Sequence, residues 1–256
     1  SWKLIDIRKC FTEDEEATKD NGWVPVYFEN HDLPRCTNYF FPQGTDTKLA
    51  AKFIATILLT MRGTPFIYEG QELGMTNIKW PSIKMYNDIS SIGQYELALK
   101  DKLTPKEAMK GVWKYSRDNA RSPMTWNSGS KAGFTTGRPW LPLNDEYPNL
   151  NVETETEDEN SVLNYYKNLI KLRKQYPALI EGDYEELLSY SPGIYAYART
   201  TKDKSERIIV IANTTAKIRG YKIPELKGAT LLASTYGNRE ATLLRSYEVR
   251  VYKVKK

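Results

Sequence analysis

The sequence predicts an α/β segment of parallel strands joined by helical crossovers, followed by a small antiparallel all-β domain. Three observations predict it: a strand–helix–strand alternation between residues 24 and 68, a long amphipathic helix from 160 to 175, and a switch beyond Gly182 to short β-type runs separated by turn residues. The boundary falls near residue 181, giving segments 1–180 and 181–256.

Trp2, Leu4, Ile5 and Phe11 are spaced for one buried face of a leading helix. That helix reads as already under way at Ser1, so sequence is expected upstream. Asn21-Gly22 breaks the pattern, and Val24-Pro25-Val26-Tyr27-Phe28 follows as an apolar run of the kind found in a strand buried on both faces. The run stops in Glu29-Asn30-His31-Asp32. Thr45 or Asp46 then offers a side-chain oxygen to cap a helix over 48–62, apolar nearly all round, which Gly63 ends. Thr64-Pro65-Phe66-Ile67-Tyr68 is a second apolar run, and it too stops in polar residues, Glu69-Gly70-Gln71-Glu72. In parallel sheets functional groups gather at the C-terminal ends of strands, where both polar clusters fall.

Helices are expected over 92–100 and 105–115, then an irregular stretch rich in Gly, Pro, Trp and Thr. A loop that long inside a compact domain points to function, and Trp113, Trp126, Phe134 and Trp140 argue for order. These aromatics are expected to pack rather than to face a ligand. The helix from Asn160 carries Glu157, Asp158 and Glu159 at its positive end and Lys171, Arg173 and Lys174 at its negative end, with Leu163, Tyr166 and Ile170 on its buried face and Pro177 closing it. Beyond it, strands are expected over 184–190, 193–200, 207–213, 220–223, 230–234 and 249–254.

Composition excludes several function classes. The net charge of +5 comes from 37 basic and 32 acidic residues that interleave, so no basic stripe for nucleic acid forms, and only 253–256 is locally basic. Cys10 and Cys36 have neither metal-ligand spacing nor the density of a disulfide framework, which suits a reducing, cytoplasmic setting. His31 is the single histidine, which removes multi-histidine metal sites; no metal and no cofactor are expected. No apolar run reaches the roughly 18 residues of a membrane span.

Asn30-His31-Asp32 presents an imidazole and a carboxylate together at a strand end, either as a site or as hydrogen-bonding groups that tie down the junction. Phe28-Glu29-Asn30-His31-Asp32-Leu33-Pro34-Arg35 resembles the fourth shared motif of the α-amylase clan, family 13 of the glycoside hydrolases. Gly63-Thr64-Pro65-Phe66-Ile67-Tyr68-Glu69-Gly70-Gln71-Glu72-Leu73-Gly74-Met75 resembles that family's eighth barrel strand and the loop after it. Arg117-Asp118-Asn119-Ala120-Arg121-Ser122-Pro123-Met124-Thr125-Trp126 and Ala132-Gly133-Phe134-Thr135-Thr136-Gly137 are similar to signatures of its oligo-1,6-glucosidase branch.

The resemblance covers essentially the whole chain. It implies that residues 1–180 are the C-terminal portion of a (β/α)8 TIM barrel and that 181–256 is the small antiparallel β-sandwich domain that closes such enzymes. It also implies a retaining mechanism in which an Asp nucleophile and a Glu acid/base flank the glycosidic bond. Neither of their motifs occurs in this chain. Asp32 takes the role of the third carboxylate, which grips sugar hydroxyls and stabilises ring charge, with His31 as a neighbouring donor. Arg117 is expected to hold the terminal glucose. Arg35 and Arg121 are candidate substrate contacts that read equally well as structural arginines. Glu72 could line the pocket rim, but an exposed loop carboxylate is the expected reading. Asp88-Ile89-Ser90-Ser91 puts serines where relatives tend to carry a carboxylate toward the second sugar ring, which leaves linkage preference open.

The expected function is therefore that of a fragment of an exo-acting α-glucosidase acting on isomalto- or malto-oligosaccharides, inactive alone and prone to self-association through an incomplete barrel. Alternatives within the class are a trehalose-6-phosphate hydrolase, a dextran glucosidase or a sucrose isomerase. Outside it stands a catalytically dead heavy-chain subunit of an amino-acid transporter.

Overall fold

The computed structural model describes residues 3–237 and 242–255; Trp2, expected on the leading helix's buried face, and Lys256 of the basic tail lie outside them. Two compact units result, one of residues 1–26, 52–66 and 165–256, the other of residues 27–51 and 67–164.

The first unit opens on a short turn, Leu4–Asp6, with Leu4 buried and Ile5 half-buried, and runs into α1 (Ile7–Thr18), where Ile7 and Glu15 are buried and Phe11 is half-buried. Glu15 is buried because Arg199 pairs with it. Strand β1 (Pro25–Val26) follows, α2 (Cys36–Phe40) and α3 (Thr47–Thr60) come next in the chain, and β2 (Thr64–Pro65) then pairs with β1 in parallel, Pro25 opposite Thr64 and Val26 opposite Pro65. The strand–helix–strand alternation is thus a parallel crossover, as the pattern predicts. Gly63 makes the close return: its φ is +125°, and a Cβ there would lie 2.4 Å from the Val24 carbonyl oxygen.

The burial on both faces expected of the first run does not hold, and the second run is not buried on both faces either. Val26 and Phe28 are buried, but Tyr27, Phe66 and Ile67 are exposed. Each strand pairs only with the other among the described residues, so the period-2 alternation sends Tyr27 to solvent between two buried neighbours. The α3 expectation holds: Asp46 accepts the Leu49 amide at 2.9 Å as its cap, and every residue from Ala50 to Met61 is buried.

In chain order the next helices are α4 (Ile89–Lys100), α5 (Pro105–Tyr115), α6 (Asp118–Arg121), α7 (Val152–Glu157), α8 (Val162–Gln175) and α9 (Ala178–Glu181). The buried face of α8 is Val162, Tyr166, Leu169 and Arg173, one step round from the expected face, with Leu163 and Ile170 half-buried. The shift follows from Arg173, a charge at a core position. Its guanidinium donates to the carbonyls of Leu59, Met61, Leu179 and Gly63 at 2.7–3.0 Å, closing the open carbonyl end of α3. Burial, then the nearby Arg199, push its pKa down to about 10.

The β region of this unit is an antiparallel sheet in the order β3 (Asp183–Leu187), β4 (Ile194–Thr200), β5 (Arg207–Asn213), β9 (Val249–Lys253), β7 (Thr230–Ser234). A second pair, β6 (Arg219–Gly220) with β8 (Leu243–Leu244), replaces the strand expected over 220–223. β4 and β5 are buried on both faces, Ile194, Ala196, Ala198, Ile209 and Ile211 filling the core on one of them.

In the second unit, Thr104 and Glu107 form a reciprocal cap at the start of α5, with Pro105 in its first turn. Ile78, Trp80, Tyr86, Met109, Val112 and Leu141 form its core. No helix among the described residues is long and apolar enough to cross a membrane.

Candidate active site

All five predicted site residues lie in the second unit, and they divide into a buried frame and an exposed cluster. The frame is Glu29 with Arg35. Arg35 Nη1 donates to Glu29 Oε2 at 3.0 Å and to the Glu69 carbonyl at 2.7 Å, while the other Glu29 oxygen accepts the Cys36 amide at 2.8 Å. Both side chains are 1% exposed. Arg35 therefore has no surface to offer a sugar, and the expected substrate contact is corrected to a structural one. It ties the loop after β1 to the loop after β2, across a Gly70 whose φ is +81° and whose Cβ would lie 2.4 Å from Met75 Sδ.

Between the two frame residues the chain bulges outward. Asn30 Oδ1 accepts the Asp32 amide at 2.8 Å, an Asx turn at which the His31 and Asp32 side chains leave the core. His31 Nε2 lies 3.3 Å from Asp32 Oδ2, with the two side chains 71% and 51% exposed.

Arg117 and Arg121 stand four residues apart around the short α6, and both reach Asp32 Oδ1, at 3.4 and 2.8 Å. Arg121 Nε also donates to the His31 carbonyl at 2.8 Å. The residues between them point inward: Asp118 Oδ2 accepts the amides of Asn87 and Asp88, and Asn119 Oδ1 accepts the Ile78 amide. The Arg-Asp-Asn-Ala-Arg motif thus presents two cations outward and fixes the neighbouring loop with its two buried polar groups.

Arg117 is locked by a residue that the sequence did not single out as a partner. Its Nε and Nη2 both donate to Asp88 Oδ1, at 2.9 and 2.6 Å, and Ser91 Oγ donates to Asp88 Oδ2 at 2.6 Å. Burial by itself would raise the Asp88 carboxyl, but the bonds from Arg117 and Ser91 outweigh it and hold the pKa at about 2. The Asp88 hydrogen bond, reinforced by its charge, pushes Arg117 in the other direction, upward. Asp88 also caps α4 through the Ser90 amide, the only local sign of it that sequence carries.

Beside this cluster is an open cavity of about 400 Å³, lined by His31, Tyr68, Glu69, Arg121, Phe134 and Trp140 together with the buried Ser122 and Met124. A second cavity of about 340 Å³ lies away from His31 and Asp32, beside Lys48, Glu146 and Glu155. Its charged groups are already engaged: Lys48 with Asp158, Glu146 with Thr76 Oγ1, Glu155 with the amides of Val162 and Leu163.

The family model described as the alpha amylase catalytic domain matches residues 1–182. The chain belongs to the alpha-amylase family. It is 40% identical over 263 residues to the oligo-1,6-glucosidase of Parageobacillus thermoglucosidasius, covering 99% of this chain and 46% of that one. It superposes with a TM-score of 0.91 and 33% identity on Bacillus licheniformis trehalose-6-phosphate hydrolase, covering 100% of this chain and 48% of the other. On the isomaltulose synthase PalI of Klebsiella sp. LX3 the TM-score is 0.87 and the identity 36%, covering 100% of this chain and 47% of that one. This alpha-amylase family chain spans about half the length of the curated relatives it matches.

Two expectations about the site are corrected. Glu72 is half-buried rather than exposed; burial pushes its carboxyl up, and its Oε2 has no hydrogen-bond partner. Of the four aromatics Trp113, Trp126, Phe134 and Trp140, only Trp113, on α5, packs as expected, its Nε1 donating to the Trp80 carbonyl at 2.9 Å. Trp126, Phe134 and Trp140 are exposed, and the last two face the cavity. Among the described residues no group of three or more His, Cys, Asp or Glu side chains could hold a metal ion.

Proposed function

We propose that this chain is the C-terminal part of a retaining, exo-acting α-glucosidase that removes terminal glucose from short isomalto- or malto-oligosaccharides. One observation carries the reading: a half-exposed Asp32 carboxylate, gripped on one oxygen by Arg117 and Arg121 and flanked on the other by His31. Asp32 Oδ2 accepts sugar hydroxyls, and its fixed negative charge stabilises the positive charge that develops on the ring in the oxocarbenium-like transition state. His31 donates to hydroxyls of the same sugar. Arg117, braced by Asp88, holds the terminal ring, and Arg121 orients both Asp32 and the His31 backbone. Arg35 positions the loop without touching substrate.

The nucleophile and acid/base belong to residues outside these 256, a reading supported by the coverage of less than half of the oligo-1,6-glucosidase. Residues 1–180 are then the last part of a (β/α)8 barrel, supported by the parallel β1–β2 crossover, and 181–256 the β domain after it. The isolated chain is inactive and self-associates, because β1 and β2 expose strand edges and Phe66. A cytoplasmic setting is supported by free Cys10 and Cys36.

The test is Asp32→Asn in the full-length protein. On a nitrophenyl α-glucoside, turnover falls roughly a thousandfold or more while the circular dichroism spectrum is unchanged; near-normal turnover refutes the role. A second reading, cleavage of trehalose 6-phosphate, is supported by the TM-score of 0.91 to a hydrolase of that name, and faster turnover of that substrate than of isomaltose would select it.

A further inference from the structure

We infer that Ser91 is a positioning residue of the active site: its hydroxyl fixes the Asp88 carboxylate, and Asp88 in turn aims the Arg117 guanidinium at Asp32. The inference rests on the proposed roles of Asp32 and Arg117 and adds to them a buried residue that acts through Asp88.

Arg117 cannot be aimed by Asp32. The one contact between them, Nη1 to Oδ1, is 3.4 Å long. A single contact of that length does not orient a side chain with several rotatable bonds. The direction is set from the other side, where Nε and Nη2 both donate to Asp88 Oδ1 at 2.9 and 2.6 Å. That leaves Nη1 pointing toward Asp32, and the grip is only as firm as the carboxylate is still.

The backbone under Asp88 is held by Asp118, whose Oδ2 accepts the amides of Asn87 and Asp88 at 2.7 and 2.9 Å. What remains free is rotation of the carboxylate about its last bond, a soft torsion. Ser91 opposes it. Its Oγ donates at 2.6 Å to Asp88 Oδ2, the oxygen that the Arg117 side chain does not use and that otherwise takes only the longer 3.3 Å bond from the Arg117 amide. Hydroxyl bonds to a carboxylate are of the short, strong kind. Asp88 and Ser91 are 2% and 7% exposed, so water is poorly placed to substitute for the hydroxyl.

A serine three residues after a capping aspartate also fits a helix start that serves only itself. The distances argue otherwise. The capping bond, from the Ser90 amide to Asp88 Oδ1, is 3.2 Å, whereas the shortest bonds to Arg117 and to Ser91 are both 2.6 Å. The carboxylate is seated on the arginine and the serine, and it reaches α4 more loosely.

Threonine and valine have nearly the same shape and differ by the hydroxyl, so they separate the bond from the packing. In the full-length protein, Ser91→Ala and Ser91→Val are each expected to lower kcat/KM for isomaltose about tenfold with the circular dichroism spectrum unchanged, and Ser91→Thr is expected to stay within about threefold of wild type. Because the effect passes through Asp88, adding Ser91→Ala to Asp88→Asn should change kcat/KM by less than about twofold. An unchanged kcat/KM in Ser91→Ala, with only a lower Tm, would make Ser91 a helix cap and overturn the inference. An equal loss in the threonine and valine variants, or the full tenfold loss on the Asp88→Asn background, overturns it as well. None of these results touches the glucosidase reading, which falls instead if Asp32→Asn hydrolyses the substrate normally.

Discussion

Seven consecutive residues, Glu29 to Arg35, carry two arginine–carboxylate networks built from the same chemical groups to opposite ends. Glu29 and Arg35 are sealed, with side chains 1% exposed, and Arg35 spends its charge on one carboxylate and one carbonyl. Asp32, three residues from each, is 51% exposed and draws on two arginines of a different loop. Ions taken out of water and paired in that way hold a loop in one geometry; the exposed carboxylate is held by both arginines on one oxygen and has only His31 beside the other. The contrast teaches that burial, more than residue type, separates framework from working group here.

That contrast can be broken most severely at the frame. Arg35→Met leaves Glu29 buried and unpaired, and the expected cost is roughly 3–5 kcal/mol in denaturant unfolding. A loss under about 1 kcal/mol would mean that the pair is not the frame. At the boundary of the two networks stands Asp88, sealed like Glu29 but braced against Arg117. Asp88→Asn frees that guanidinium, so kcat/KM of the full-length protein should fall by roughly tenfold to a hundredfold through loss of positioning.

The same residue sets a pH limit. Its folded pKa, about 2, lies below the ordinary 3.8, so the stability it contributes is present above 3.8 and is lost as pH falls through about 2. The Tm gap between wild type and Asp88→Asn should be constant above pH 5 and shrink from about pH 4 downward. A gap that widened on acidification would show the sign to be wrong. The smallest effect is expected at the exposed end: Asp32→Asn, for all the loss of turnover proposed for it, should change stability by less than about 1 kcal/mol, since exposed ion pairs are worth little.

Much of this was legible in the residues. Period and punctuation located α3, α5 and the strands β4, β5, β7 and β9 to within two residues, because their burial follows local patterning. The cluster of Asp32, His31, Arg117 and Arg121 was legible from motifs. What escaped was the choice between partners distant in sequence. Whether Arg35 meets a sugar or Glu29, and whether Arg173 faces water or four carbonyls, depends on packing that no local window contains. The aromatics escaped for another reason: a Phe in a loop reads as core until the left-handed turn at 131–133 is known to point it outward. β6 and β8 are two-residue ladders, too short for any periodicity.

Whether the exposed face of Asp32 and His31 receives a sugar is decided by a crystal structure of the full-length protein with 1-deoxynojirimycin, a cationic mimic of the glucosyl ring. The prediction is that Asp32 Oδ2 and the His31 imidazole each lie within hydrogen-bond distance of ring hydroxyls, with Arg117 still on Asp88. A ring bound instead in the cavity beside Glu146 and Glu155, with Asp32 left facing solvent, would contradict it.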